Sequence, residues 1–155
     1  MNKLYIIPAL ATCCYLLACK SSQKGTGSVS VTDSIISDMS NRKLITDKEL
    51  FIATTEVLPV DTVYLESSTL HIITKKMQAC NSQNFQLVWN GAMMKSMPPQ
   101  APTKLLYIND GTCKTLHQFH LTYNVSAVKL KQDSTSAKTT IIRVGGWQQG
   151  VRYDY

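Results

Sequence analysis

The chain of 155 residues carries 16 Lys and Arg against 10 Asp and Glu, a net charge of +6, and 44% hydrophobic residues. That length suits one domain with a modest core and does not comfortably hold two. The basic residues are scattered, from Lys24 through Lys76 and Lys131 to Arg152, and form no stripe interleaved with stacking aromatics, which argues against a nucleic-acid binder.

The first segment, Met1-Asn2-Lys3, has one positive charge, and residues 4–18 carry none. A cationic start, a short apolar run and a small residue at its end are the parts of a secretory signal peptide. The run is shorter than the roughly 20 residues of a spanning helix and is interrupted by Pro8, so a transmembrane anchor is the weaker reading. It ends Leu16-Leu17-Ala18-Cys19, which resembles the lipobox of bacterial lipoproteins. The resemblance implies cleavage after residue 18, with Cys19 carrying a thioether-linked diacylglycerol and an N-acyl chain. Several acyl chains give stable anchoring where one is marginal. Lys20 follows in place of the Asp that retains some lipoproteins in the inner membrane. The expected location is therefore the outer membrane, with the lipid as anchor, facing either the periplasm or the cell surface. Residues 19–28 are polar and rich in Gly and Ser, as a flexible tether would be. Residues 29–155 are then expected to form a single β-domain.

Within that domain, the stretch to about residue 41 places Val29, Val31, Ile35 and Ile36 among Ser and Asp, and fits a short strand or a helix equally. Residues 50–58 are rich in β-branched side chains and stop at Pro59, which predicts a strand. Further strands are predicted at 62–65, 69–75 and 85–89, the last ending in the turn signal Asn90-Gly91. Residues 104–108 run into Asn109-Asp110-Gly111, again turn chemistry. The 119–125 segment alternates strictly, with Phe119, Leu121, Tyr123 and Val125 on one face. Beyond it Val128 and Leu130 are out of phase by one residue, which predicts a β-bulge near Ser126. Strands at 140–144 and 151–155, separated by Gly145-Gly146, complete the pattern. About seven short strands without a long amphipathic helix predict an all-β fold, either a small closed or partly open barrel of OB-like type or a sandwich.

Under the lipobox reading Cys13 and Cys14 leave with the signal peptide and Cys19 is occupied by lipid. Cys80 and Cys113 remain as one pair in an oxidising compartment, which favours a disulfide. No C-x-x-C spacing or neighbouring histidine cluster supports metal-binding or reactive thiols. Of the three histidines, His71, His117 and His120, the last two lie three apart, on opposite faces of a strand, and cannot chelate together, so structural or surface histidines are expected. There is no G-x-S-x-G elbow, H-E-x-x-H, P-loop or dinucleotide fingerprint. Asp47 and Glu49 are spaced as two acids on one strand face, but Lys48 separates them and no cleft is implied. The expectation is a protein that is not an enzyme, with no catalytic residue, metal ligand or cofactor.

The unusual stretch is 92–102, with three methionines and three prolines in eleven residues, among them Met93, Met94, Lys95, Ser96, Met97, Pro98 and Pro99. Methionine suits adaptable contact surfaces, and proline lacks the ladder donor. Two readings stay open: a stiffened segment that docks in a partner's groove, restrained by the nearby disulfide, or a crossover whose methionines pack under the barrel. Trp89 and Trp147 could anchor an interface, but buried aromatic core is the commoner fate of Trp in a short strand. Asp33-Ser34-Ile35, Asp61-Thr62-Val63 and Asp133-Ser134-Thr135 resemble the O-glycosylation sequon of exported Bacteroidota proteins, which implies modification at Ser34, Thr62 and Ser134.

The lipobox at Cys19, the mature length and the barrel-like strand pattern together make the chain similar to the potempins, lipid-anchored protease inhibitors of a periodontal Bacteroidota species. That resemblance implies an OB-like fold and tight inhibition of secreted metallo- or serine endopeptidases; no reactive residue is carried over from it. The partner would be a secreted protease, blocked at its cleft by the 93–99 segment. The alternative is a structural or assembly lipoprotein of an outer-membrane complex.

Overall fold

The computed structural model describes residues 35–108, 111, 113–130 and 138–155. The signal-like run, Cys19, the tether, Ser34 and Ser134 lie outside the described residues. The fold starts with an extended segment that serves two sheets. Strand β1 (Ile35–Lys43) pairs in parallel with β8 (Leu116–Asn124), and β2 (Ile45–Thr46) pairs in parallel with β6 (Phe85–Trp89). Between them the Leu44 N–H donates to Asn124 O at 3.2 Å, and its side chain enters the core. The strand-or-helix ambiguity of this segment thus resolves to strand.

One five-stranded sheet has the order β1-β8-β4-β3, with β4 at Thr69–Thr74, β3 at Val60–Glu66, and the short β5 (Met77–Gln78) also on β8. The other has the order β10-β9-β7-β6-β2, with β7 at Gln100–Tyr107, β9 at Thr139–Val144 and β10 at Gly150–Asp154. Leu70, Ile72, Phe119, Leu121 and Tyr123 of the first sheet meet Phe85, Leu87, Leu105, Ile142 and Tyr153 of the second in one core. Each large side chain so buried contributes about 1.5–3 kcal/mol. The free edges β3 and β10 share no ladder among the described residues, although Ser68 Oγ and Tyr153 Oη hydrogen-bond at 2.6 Å. The fold is all-β, a two-sheet sandwich or open barrel; a closed barrel is ruled out by that unladdered seam.

Four local expectations are corrected. Residues 50–58 do not form a strand: Lys48–Ala53 is a short helix, α1. Asp47 caps it, its Oδ1 accepting from Leu50 N at 2.8 Å, and Glu49 sits in the first turn, so these acids share no strand face. The other end is held by Lys104, whose Nζ donates to Phe51 O at 2.8 Å and Thr54 O at 2.6 Å. A cap at one end and a distant cation at the other outweigh β-propensity over six residues. Lys104→Met is expected to lower the unfolding free energy by about 1.5–2 kcal/mol, because two carbonyls lose a charged donor; urea unfolding with an unchanged m-value would register it.

There is no bulge near Ser126. A single 3-10 turn, Ser126–Val128, intervenes, and Asn124 Oδ1 accepts from Ser126 N (3.0 Å) and Oγ (2.7 Å). The apolar phase slips because the strand ends there, with Val128 folded back into the core.

Strand β7 begins four residues before the predicted 104 and includes Pro102. Toward the parallel strand β9, Ile141 N bonds Pro99 O and Gly145 N bonds Thr103 O. In this alternation the Pro102 nitrogen faces the β6 side, where β6 has already ended at Trp89 opposite Thr103. Proline is tolerated where no donor is needed. At Gly146, in the turn after β9, φ is +85° and an added Cβ would meet Leu58 O at 2.2 Å, so the break after 144 is also a close backbone approach.

Candidate functional site

The 90–99 connection joins the antiparallel strands β6 and β7 and is built as a pinned projection. Asn90 Oδ1 accepts from Ala92 N at 3.0 Å, and the Trp89 indole N–H donates to Ala92 O at 3.1 Å. Gly91, at φ +80°, turns the chain. Above this base, Met94 N donates to Gln100 O at 2.8 Å in an isolated antiparallel bridge. Met93 packs against the core. Beyond the bridge, Ser96 Oγ donates to Pro98 O at 2.7 Å, and the Met97–Pro98 peptide is cis. Met94 is 51% exposed and Met97 is 97% exposed. The two sequence readings therefore divide by residue: Met93 packs inward, while Met94, Lys95, Ser96 and Met97 face solvent and Pro98 and Pro99 are half-buried.

Cys80 and Cys113 are bonded to each other. The bridge does not brace this projection, however. It lies where Phe85 opposes Tyr107, and Cys80 N donates to Tyr107 Oη at 3.2 Å. The projection leaves from the Trp89–Thr103 end, four residues and about 13 Å along the strands. The Met94–Gln100 bridge and the Trp89 and Asn90 hydrogen bonds do the bracing instead.

A polar pin couples the two sheets. Asp38 on β1 accepts from Ser40 N (3.1 Å), Ser82 Oγ (2.7 Å), Gln83 Nε2 (3.0 Å) and the Arg42 guanidinium. Arg42 in turn donates to Phe85 O at 2.9 Å and sits over the Tyr123 ring. Burial pushes the Asp38 carboxyl up, but the hydrogen bonds from Ser40, Ser82 and Arg42 outweigh it and hold the group at about 2. Burial raises the Tyr123 phenol above its ordinary value. The Asp38 carboxylate is satisfied by these partners, whereas the buried Tyr123 hydroxyl has no hydrogen-bond partner among the described residues; the cluster reads as structural.

His117 and His120 lie on opposite faces of β8, as their spacing predicts, but His120 meets a histidine of the neighbouring strand. His117 points to the core side beside Phe119, as alternation requires. His120 faces outward and meets His71 from the neighbouring strand, His71 Nδ1 to His120 Nε2 at 3.0 Å. Tyr64, directly opposite His71 in the β3–β4 hairpin, stacks on it with centroids 4.5 Å apart and planes 9° apart. Glu66 Oε2 lies 3.4 Å from His71 Nε2. Burial, and then the neighbouring His71, lower the His120 pKa, with Glu66 acting in the opposite direction. The spacing of His117 and His120 alone does not reveal this pair, since His71 and His120 are 49 residues apart. Counting outward from the Ser67-Ser68 turn would have paired Tyr64 with His71. Among the described residues no three His, Cys, Asp or Glu side chains form a metal-holding group.

Thr62 is on the edge strand β3, half-buried, with its Oγ1 on Asp61 Oδ2 at 3.3 Å. A cavity of about 330 Å³ opens at the seam of the sandwich, lined by Val60, Asp61, Lys75, Trp147, Gln148 and Gln149. A smaller one of about 160 Å³ lies beside the exposed Ile108.

No family model matches the sequence, and no curated protein matches it. Among solved structures, a protein of unknown function from Bacteroides vulgatus is similar at a TM-score of 0.46 and 11% identity, over 78% of this chain and 56% of that one. The chain thus spans about half the length of that protein.

Proposed function

We propose that the chain is an envelope-anchored binding lipoprotein whose β-domain inhibits secreted endopeptidases by placing the 93–99 projection in the protease cleft. The observation that carries this reading is Met97, 97% exposed at the tip of a connection that is hydrogen-bonded at its base and bridged at Met94–Gln100. Methionine is an adaptable contact side chain, and Met97 together with the half-exposed Met94 gives the tip two apolar groups for a pocket on a partner. Because the base is already ordered, less conformational entropy is lost on docking. The lipobox motif at Cys19 supports anchoring to the outer membrane, where the domain would guard envelope proteins against proteolysis. A panel of secreted metallo- and serine endopeptidases, assayed with the domain at micromolar concentration, is expected to contain at least one that is inhibited. Uniform absence of inhibition would overturn the proposal.

A second reading, an assembly subunit of an outer-membrane complex, is favoured by the exposed Val57 and Ile108 flanking the smaller cavity, which Leu58 and Leu105 help to line. It predicts co-purification with a membrane protein and no effect on proteases.

A further inference from the structure

We infer that His71 and His120 form a two-imidazole clamp for a divalent transition-metal ion of the zinc or copper class. The clamp is on the outer face of the β1-β8-β4-β3 sheet, whereas the 93–99 projection belongs to the other sheet. The register sets it: Ile73 opposes His120 and His71 opposes Thr122, so the two histidines are diagonal neighbours on adjacent strands. Diagonal positions are close enough for long side chains to meet.

Three features distinguish this pair from two histidines that merely touch. First, the nitrogen atoms themselves converge, His71 Nδ1 and His120 Nε2 at 3.0 Å. Two imidazoles on a tetrahedral ion, at metal–nitrogen distances of about 2.0–2.1 Å, hold their nitrogens about 3.3 Å apart, so the gap opens by a few tenths of an ångström and each ring turns its lone pair from the nitrogen–nitrogen line toward the ion. Second, Glu66 Oε2 stands 3.4 Å from His71 Nε2, a contact that favours the tautomer protonated at Nε2 and leaves Nδ1 as the lone-pair nitrogen. A carboxylate behind a histidine is the recurrent arrangement around metal-bound imidazoles, fixing the tautomer and raising basicity. Third, His71 is only 4% exposed and its ring plane is held by the Tyr64 stack, which keeps Nδ1 on the His120 side.

In the metal-free state the His120 Nε2–H donates to His71 Nδ1. When the ion enters, that proton moves to His120 Nδ1, and both rings bind as neutral ligands with no net proton released. Water completes the coordination on the exposed side, and Tyr64 Oη, 3.4 Å from His120 Nε2, is placed to hydrogen-bond to it. Imidazole donors select zinc, copper and nickel over magnesium or calcium.

The test is calorimetric titration of the full-length chain in detergent with ZnCl2, and separately with CuCl2. The wild type is expected to show a binding event in the micromolar range that also raises the thermal midpoint. His120→Ala should weaken that event at least tenfold, Glu66→Gln about tenfold, and His117→Ala should leave it unchanged. His120 is half-buried at the surface, so its variant remains interpretable if His71→Ala fails to fold; circular dichroism checks this. Equal binding by His120→Ala and wild type, or no binding below about 1 mM, would overturn the clamp.

Discussion

Asp38→Ala is expected to lower the unfolding free energy by about 3–5 kcal/mol, measured by urea unfolding at neutral pH. The carboxylate gathers four donors from β1 and from the Ser82–Asn84 turn, and so fastens the edge of one sheet to the start of β6 in the other. Without it Arg42, whose side chain is 16% exposed, remains largely buried over Tyr123 with Phe85 O as acceptor and no counter-ion. Breaking a buried pair from one side costs far more than the pair is worth, because the remaining charge is uncompensated.

The same network sets an acid limit. The folded-state carboxyl is held at about 2, below its ordinary value of 3.8, by the hydrogen bonds from Ser40, Ser82 and Arg42. Its contribution is therefore fully present above about pH 4 and is lost as the pH falls through 2, which amounts to about 2–3 kcal/mol. Urea midpoints at pH 5 and pH 2 should converge between wild type and Asp38→Ala. A gap of the same size at both values would contradict this assignment.

The second large effect is removal of the disulfide. Cys80 and Cys113 are 33 residues apart, and the chain-entropy relation gives about 3.7 kcal/mol for closing such a loop. The Cys80→Ser/Cys113→Ser double variant should melt about 10–15 °C lower in a calorimetric scan. Its location makes a second outcome specific. The bridge is at the end of the β6–β7 pair remote from the projection, so partner binding below the melting transition should be unchanged. Loss of binding in a fully folded double variant would show that the bridge does restrain the loop.

Much of the fold was legible because its signals were local. The alternation from Phe119 to Val125, the Asn90-Gly91 turn and the β-branched runs at 62–65 and 140–144 each predict a strand from neighbouring residues alone. The disulfide was legible by compartment and elimination. What escaped was non-local. The helix at Lys48–Ala53 depends on Lys104, some fifty residues away, and strand propensity in Leu50-Phe51-Ile52 pointed elsewhere. The parallel pairings of β1 with β8 and β7 with β9 leave no turn signature between partners, so neither the start of β7 nor the tolerance of Pro102 could be read. His71 and His120 are 49 residues apart and meet only through sheet register. In the 93–99 segment the composition marked the unusual residues, but only the Met94–Gln100 bridge separates the inward Met93 from the outward Met97.

Under the proposed function, the tip of that projection makes the contact with the protease. The decisive comparison is the inhibition constant of the wild-type domain and of a variant with residues 95–99 replaced by a Gly/Ser pentapeptide, against a protease from the panel that the wild type inhibits. The replaced residues lie outside the core, so the loss of two half-buried prolines should lower the unfolding free energy by only about 1–2 kcal/mol, while inhibition weakens at least a hundredfold, about 2.7 kcal/mol. Equal inhibition by the two proteins would contradict the assignment of this loop as the contact.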